Sequence, residues 1–320
     1  MKTAMNRFKR FYIDNGAVVY LIVIALLASI FVPHFFSINN FQNLLKQWAV
    51  PAIVCAGMAF LVITGGIDLS MGYVLALSSV TAGVLIKFHE WNPYLAFCMG
   101  IATGAAFGCV NGFIISVLKV PPFITTLGSG YIAYGLAQII SGGRSANKLG
   151  DAFMGIGNTK VIGTTPSMVF VALAVVLLAW FMMNRTTYGR NLQYMGYNTK
   201  TARLSGVRVD RIIFISYMVS GALAGLAGMF LTMRTGVADP TLGGGSTPFD
   251  AVTACVLGGS LLSGGFAPII GSSIGVLILK IIENCINLLN LKTYIYDVVR
   301  ALIIFAAIVA DSYKRQHLHK

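Results

Sequence analysis

The sequence predicts an all-α, polytopic membrane protein of about ten transmembrane helices, some short or broken, and three observations predict it. Of its 320 residues 57 % are hydrophobic and 10 % charged, where a soluble domain carries about 25 % charged residues; the mean hydropathy is +0.79. The apolar residues fall in runs that approach the ~20 residues a helix needs to cross the hydrocarbon core. Small residues crowd those runs, as in "GIATGAAFGCVNG" (100–112) and "GALAGLAGMF" (221–230), the composition that lets membrane helices pack closely.

The first run, 16–32, follows the basic stretch MKTAMNRFKR and ends in the bulky "IFVPHFF". With no small-residue cleavage site it reads as an uncleaved span. Runs 49–64, 71–86, 94–118 and 123–140 follow. A glycine-rich connection, 141–166, leads to 168–183, and a strongly basic one, 184–211, leads to 212–233. The eighth run, 249–262, is short and glycine-rich, which suits a broken or re-entrant helix. Runs 269–289 and 294–310 complete the set, so residues 1–320 read as a single transmembrane domain. Two turns look alike: "TGGIDLSMG" (64–72) and "SGGFAPIIG" (263–271) share three aligned glycines, each between apolar runs, as an internal repeat would.

The net charge of +13 sits in short segments between the apolar runs. That distribution is a topology signal, not a nucleic-acid surface. With the N-terminus inside, the inner segments carry about twice the basic residues of the outer ones, which puts both termini in the cytoplasm. All five cysteines lie in apolar runs without metal-ligand spacing and read as packing residues.

"LLSGGFAP" (261–268) is one residue from LSGGQ, the signature of transporter ATPases. The chain nevertheless lacks the G-x-x-x-x-G-K-[ST] loop that cradles nucleotide phosphates. It also lacks G-x-S-x-G and H-E-x-x-H, and its four histidines lie at membrane edges or in the tail. No catalytic residue, metal ligand or cofactor site is expected.

Charges inside a membrane are costly and therefore point to function. Lys280 with Glu283, and Asp297 with Arg300, are spaced i, i+3 and can neutralise each other. Asp68 and Asp250 have no such neighbour. Each lies near a helix start, where N-capping is one reading and hydrogen bonding to a polyhydroxylated substrate the other. Asn111, Phe123, Thr125 and Thr126 add amide, ring and hydroxyl groups that suit a neutral solute.

At "ITGGIDLSMGYVLALSSV" (63–80) the chain resembles the permease subunits of bacterial ATP-binding-cassette monosaccharide importers, the ribose, galactose and xylose type. "VPPFITTLG" (120–128), "TTYGRNLQYMGYNTKTARLSGVRV" (186–209), "FDAVTACVLGG" (249–259) and "SLLSGGFAPIIGSSIG" (260–275) agree in order. The resemblance implies a multi-pass inner-membrane permease in the lipid bilayer, working by alternating access. It pairs with a second permease copy in a homo- or heterodimer, a cytoplasmic ATPase subunit that binds the ATP, and an extracytoplasmic sugar-binding protein, with no role for nucleic acid. Residues 184–211 are then a cytoplasmic coupling loop. Gly189 and Arg190 lie in its first part; further on, Ala202, Ser205 and Gly206 form a small face with Arg203 and Arg208 at its rim. Two alternatives stand beside this reading: a permease for branched-chain amino acids, and an ion-coupled secondary transporter using Asp68 or Asp250.

Overall fold

The computed structural model describes the backbone of residues 2–318 except 293, and the side chains of 16–306 except 293, together with 309. The helices are α1 (Lys2–Phe31), α2 (Ile38–Val62), α3 (Met71–His89), α4 (Pro93–Ser116), α5 (Pro122–Ser141), α6 (Asp151–Asn158), α7 (Ser167–Arg185), α8 (Thr187–Tyr197), α9 (Thr199–Leu204), α10 (Val209–Thr235), α11 (Thr247–Leu257), α12 (Ile269–Leu288) and α13 (Tyr294–Leu318). Four very short strands join them: β1 (Ala146–Asn147), β2 (Lys160–Ile162), β3 (Thr165–Pro166) and β4 (Val237–Ala238).

Each of the ten apolar runs overlaps a helix, so the fold is all-α and polytopic. Among the described residues seven helices, α2, α3, α4, α5, α7, α10 and α12, are long and apolar enough to span a membrane. The apolar stretch of α1, Gly16–Phe31, and the whole of α11 are shorter. Helix α2 starts well before its apolar run because Ser37 caps it, its hydroxyl accepting from the Asn40 N–H at 3.2 Å. The connection 141–166 is more than a loop: it holds α6, the β2–β3 hairpin, and β1, which pairs with β4.

The two glycine-rich runs face each other. A Cβ on Gly104 would stand 2.3 Å from the Gly221 carbonyl, and one on Gly108 2.3 Å from that of Tyr217. Helices α4 and α10 therefore touch backbone to backbone, which larger side chains would prevent. Around them the core is formed by α2, almost wholly buried from Trp48 to Val62, with α3 and α12 beside it.

Of the eighth run, 249–262, only the part up to Leu257 is helical, within α11. From β4 the chain descends along α3: Ala238 lies against Gly83, Gly243 against Leu75 and Gly244 against Gly72, where a Cβ would stand 2.0 Å from the Gly244 carbonyl. Helix α11 begins only there. Its 11 residues reach ~16 Å, about half of the ~30 Å hydrocarbon core. The glycine-rich turns of 240–246 lead into α11 packed against α3, the kind of setting in which non-helical backbone is tolerated in a membrane.

Candidate transport and coupling site

The two similar turns meet in space. The N–H of Gly265 donates to the Ile63 carbonyl at 2.8 Å, and a Cβ on Gly264 would lie 3.0 Å from that oxygen and 3.1 Å from the Gly65 nitrogen. Gly264 and Gly265 both have φ near +90° (+92° and +88°), a conformation that side chains disfavour. Deeper in the bundle the matched helices also pair: Cys55 Sγ of α2 and Cys255 Sγ of α11 lie 3.6 Å apart, 200 residues apart in sequence. The two turns that share three aligned glycines are thus in contact.

Helix α8 is seated on this junction. A Cβ on Gly196 would stand 2.2 Å from the Ile63 carbonyl and 2.8 Å from the Gly265 nitrogen, and the Tyr197 ring covers Gly265. Thr186 caps α8 by accepting from the Gly189 N–H at 3.2 Å, and Asn198 caps α9 by accepting from that of Thr201 at 3.0 Å. The basic segment is therefore two short capped helices, one of which touches both turns.

The predicted coupling residues divide by orientation. Gly189 and Ala202 are buried within the chain, Gly189 against the carbonyls of Met182 and Met183. Ala202, Ser205 and Gly206 therefore do not share one exposed face: Ala202 packs inward. Arg190, Arg203, Ser205 and Gly206 are exposed, as are Tyr194, Tyr197 and Leu204, the last 90 % exposed. Asp210 at the start of α10 ties this region together, pairing with Arg203 at 3.0 Å and with Lys119 of the α4–α5 connection.

Asp68 is fully buried beside the same junction. One carboxylate oxygen accepts from the N–H and hydroxyl of Ser70, and the other from the Ser220 hydroxyl at 3.3 Å. Asn111 Nδ2 donates to Ser70 Oγ at 3.0 Å, and the Leu69 N–H donates to Thr126 Oγ1 at 3.1 Å. Asp68, Asn111 and Thr126 thus form one network linking the α2–α3 turn to α4, α5 and α10. Thr125 bonds its own helix at Pro121, and Phe123 is 61 % exposed on the outside of α5, so neither joins them. The Asn111 carbonyl oxygen and the Tyr217 hydroxyl are buried with no hydrogen-bond partner among the described residues.

Asp250 does not cap its helix. Its Oδ1 accepts from Arg300 Nη1 at 2.9 Å and from the Tyr296 hydroxyl at 3.3 Å, both from α13. Arg300 also holds Asp297 at 3.0 Å, and Lys280 holds Glu283 at 2.6 Å, as the i, i+3 spacing predicts. Sequence spacing offers no sign of the Asp250–Arg300 pair, which joins residues 50 apart in sequence. Ser220 and Tyr217 are equally hidden, because "GALAGLAGMF" and its flank read as packing. Gly196 does carry a signal, a glycine between tyrosines in a basic helical stretch.

A family model described as "Branched-chain amino acid transport system / permease component" matches residues 40–308. The ribose import permease protein RbsC of Escherichia coli (strain K12) is 36 % identical over 311 residues, 96 % of each chain. The L-arabinose transport system permease protein AraH of the same organism is 35 % identical over 309 residues, 97 % of this chain and 93 % of the relative. Its D-allose transport system permease protein AlsC is 34 % identical over 292 residues, 91 % of this chain and 88 % of the relative. No solved structure matches the chain.

Proposed function

The chain belongs to the permease family described as the permease component of branched-chain amino acid transport systems, and on that premise we propose that it is the membrane-spanning permease subunit of an ATP-driven importer for a monosaccharide. The cargo follows the relatives named for ribose, L-arabinose and D-allose, which align along nearly their whole length. The family description names a different cargo, branched-chain amino acids, which none of these relatives' names shares. The carboxylates Asp68 and Asp250 are both engaged by neighbouring side chains, so neither is free to meet the ammonium group of an amino acid. The same engagement speaks against an ion-coupled transporter that uses either as its coupling group.

The observation that carries the coupling is Gly196 seated on Ile63 and Gly265. In this reading α8 and α9 lie in the cytoplasm and dock on an ATPase subunit through exposed Tyr194, Arg203 and Leu204. ATP binds in that partner, and this chain performs no covalent chemistry and holds no cofactor. Closure of the ATPases displaces α8, and the contact at Gly196 passes the displacement to the two glycine turns. The turns in turn anchor α3, α11 and α12, whose rearrangement opens a path between two permease copies in alternation. Sugar arrives from an extracytoplasmic binding protein at the far end, and both termini are cytoplasmic.

Co-expression tests this. The chain should copurify with its ATPase, show no hydrolysis alone, and support hydrolysis stimulated by the sugar-loaded binding protein. Uptake by the isolated chain driven by a proton or sodium gradient, without ATPase, would establish the ion-coupled reading instead.

A further inference from the structure

Toward the end of the bundle away from α8, residues of α2, α3, α10, α11, α12 and α13 line a partly open cavity of about 160 Å³. That is room for roughly ten water-sized groups, the size of a simple sugar. One wall is aliphatic, from Val50, Val54, Leu231 and Leu279; the other carries Arg234, Thr247, Asp250, Lys280 and Tyr296. Lys280 and Asp250 lie within apolar helices, where charged groups are costly to keep without a use.

Their pairing indicates what fits. Asp250 is held by Arg300, Lys280 by Glu283, and Arg300 again by Asp297. A cation or an ammonium group would have to compete with one of these pairs for its carboxylate. Hydroxyl groups need only the spare positions, and these exist: both bonds to Asp250 fall on Oδ1, leaving Oδ2 as an acceptor. Arg234, exposed at the last turn of α10 and under the electrostatic influence of Glu283, lines the cavity and makes no hydrogen bond or ion pair among the described residues, so its N–H groups are available as donors. The apolar wall and the Tyr296 ring suit the C–H faces of a sugar ring.

We propose that this cavity is a sugar-binding site within the single permease subunit. Arg234 donates to ring hydroxyls, Asp250 Oδ2 accepts from a neighbouring one, and the aliphatic wall covers the ring. This assignment rests on the reading of the chain as a monosaccharide importer, and it places a stopping point for cargo on the side away from the coupling helices. The ammonium group of an amino acid finds no unpaired carboxylate in this lining, since Asp250 is already held by Arg300, whereas a polyol needs no counter-charge.

Saturation-transfer NMR on the purified chain in nanodiscs tests the site without any partner, using D-ribose, L-arabinose, D-allose and L-leucine as probes. The expected result is transfer to at least one sugar and none to leucine. Arg234→Gln should weaken sugar binding by about tenfold, as loss of hydrogen bonds to a charged donor does. Leu231→Trp, which fills the cavity from its apolar wall, should abolish it, with the thermal melt confirming that the variant folds. Uptake by the wild-type complex is measured in parallel. Sugar uptake without sugar transfer to the isolated chain, or transfer unchanged in Arg234→Gln, would overturn the site and leave the importer reading standing. Leucine uptake would overturn both.

Discussion

Gly196 of α8 lies so close to Ile63 at the end of α2 that a Cβ on it would stand 2.2 Å from the Ile63 carbonyl oxygen. That oxygen already accepts the Gly265 N–H at 2.8 Å. One carbonyl thus joins three parts of the chain: the basic helical segment, the first glycine turn and the second. Because the contact is between backbones, α8 cannot move toward the bundle without moving the turns.

Gly196→Val should therefore separate α8 from the junction while leaving the spans inserted. Transport and stimulated ATP hydrolysis should fall together by about tenfold or more, within the range of a coupling free energy of ~1–3 kcal/mol. Gly206→Ala is the control: its Cβ meets nothing within 4 Å, and only its φ of +82° opposes the change. It should cost roughly 1–2 kcal/mol of local stability and little coupling. ATPase assays on both complexes make the comparison.

The pair Cys55 and Cys255, 3.6 Å apart, reports on the half-helix α11. Membrane-permeant iodine should join them through oxidation of both thiols, pinning α11 to α2. Uptake should drop and return on adding dithiothreitol. The Cys55→Ser protein should be unaffected by iodine at this site, and peptide mapping should find the cross-link only in the wild-type chain.

The buried network around Asp68 separates satisfied from unsatisfied groups. The Tyr217 hydroxyl has no partner among the described residues, so Tyr217→Phe should be neutral or slightly stabilising. Ser220→Ala removes a hydrogen bond to a buried carboxylate and should cost about 1–3 kcal/mol. In the same detergent the thermal melt should fall for Ser220→Ala and not for Tyr217→Phe.

Asp239, outside the spans, clasps β1 to β4. The Ser145 hydroxyl, then the Thr241 hydroxyl and N–H, bond its carboxylate and hold its pKa below the ordinary value. A depressed carboxylate stabilises the fold fully above its unfolded value of about 3.9, and that contribution is lost as pH falls through the lower folded value. Amide protection at Ala146 and Ala238 should therefore persist from neutral pH to below ~4 in the wild type and be weaker across that range in Asp239→Asn. Hydrogen exchange by mass spectrometry reads both.

Much of this architecture was legible because apolar length and small-residue density are local properties. The close packing at "GIATGAAFGCVNG" and "GALAGLAGMF" and the shortness of α11 follow from small-residue content and run length, whereas that the two runs face each other comes only from the fold. The partner of Asp250 was not legible, since Arg300 already had a near neighbour in Asp297 and only the tertiary fold brings α11 to α13. Ala202 likewise reads as a surface residue from its basic surroundings, yet the caps at Thr186 and Asn198 turn it inward. Contacts fixed by helix orientation leave little trace in residue order.

The central claim is that this chain passes ATP-driven motion to a sugar path, and uptake of labelled sugar into proteoliposomes tests it most directly. The vesicles contain the permease, its ATPase and the binding protein, with D-ribose, L-arabinose and D-allose tried in turn. The account predicts accumulation of at least one sugar that requires ATP and is lost in Gly196→Val despite normal assembly. Accumulation that is independent of ATP, or undiminished in Gly196→Val, would contradict it.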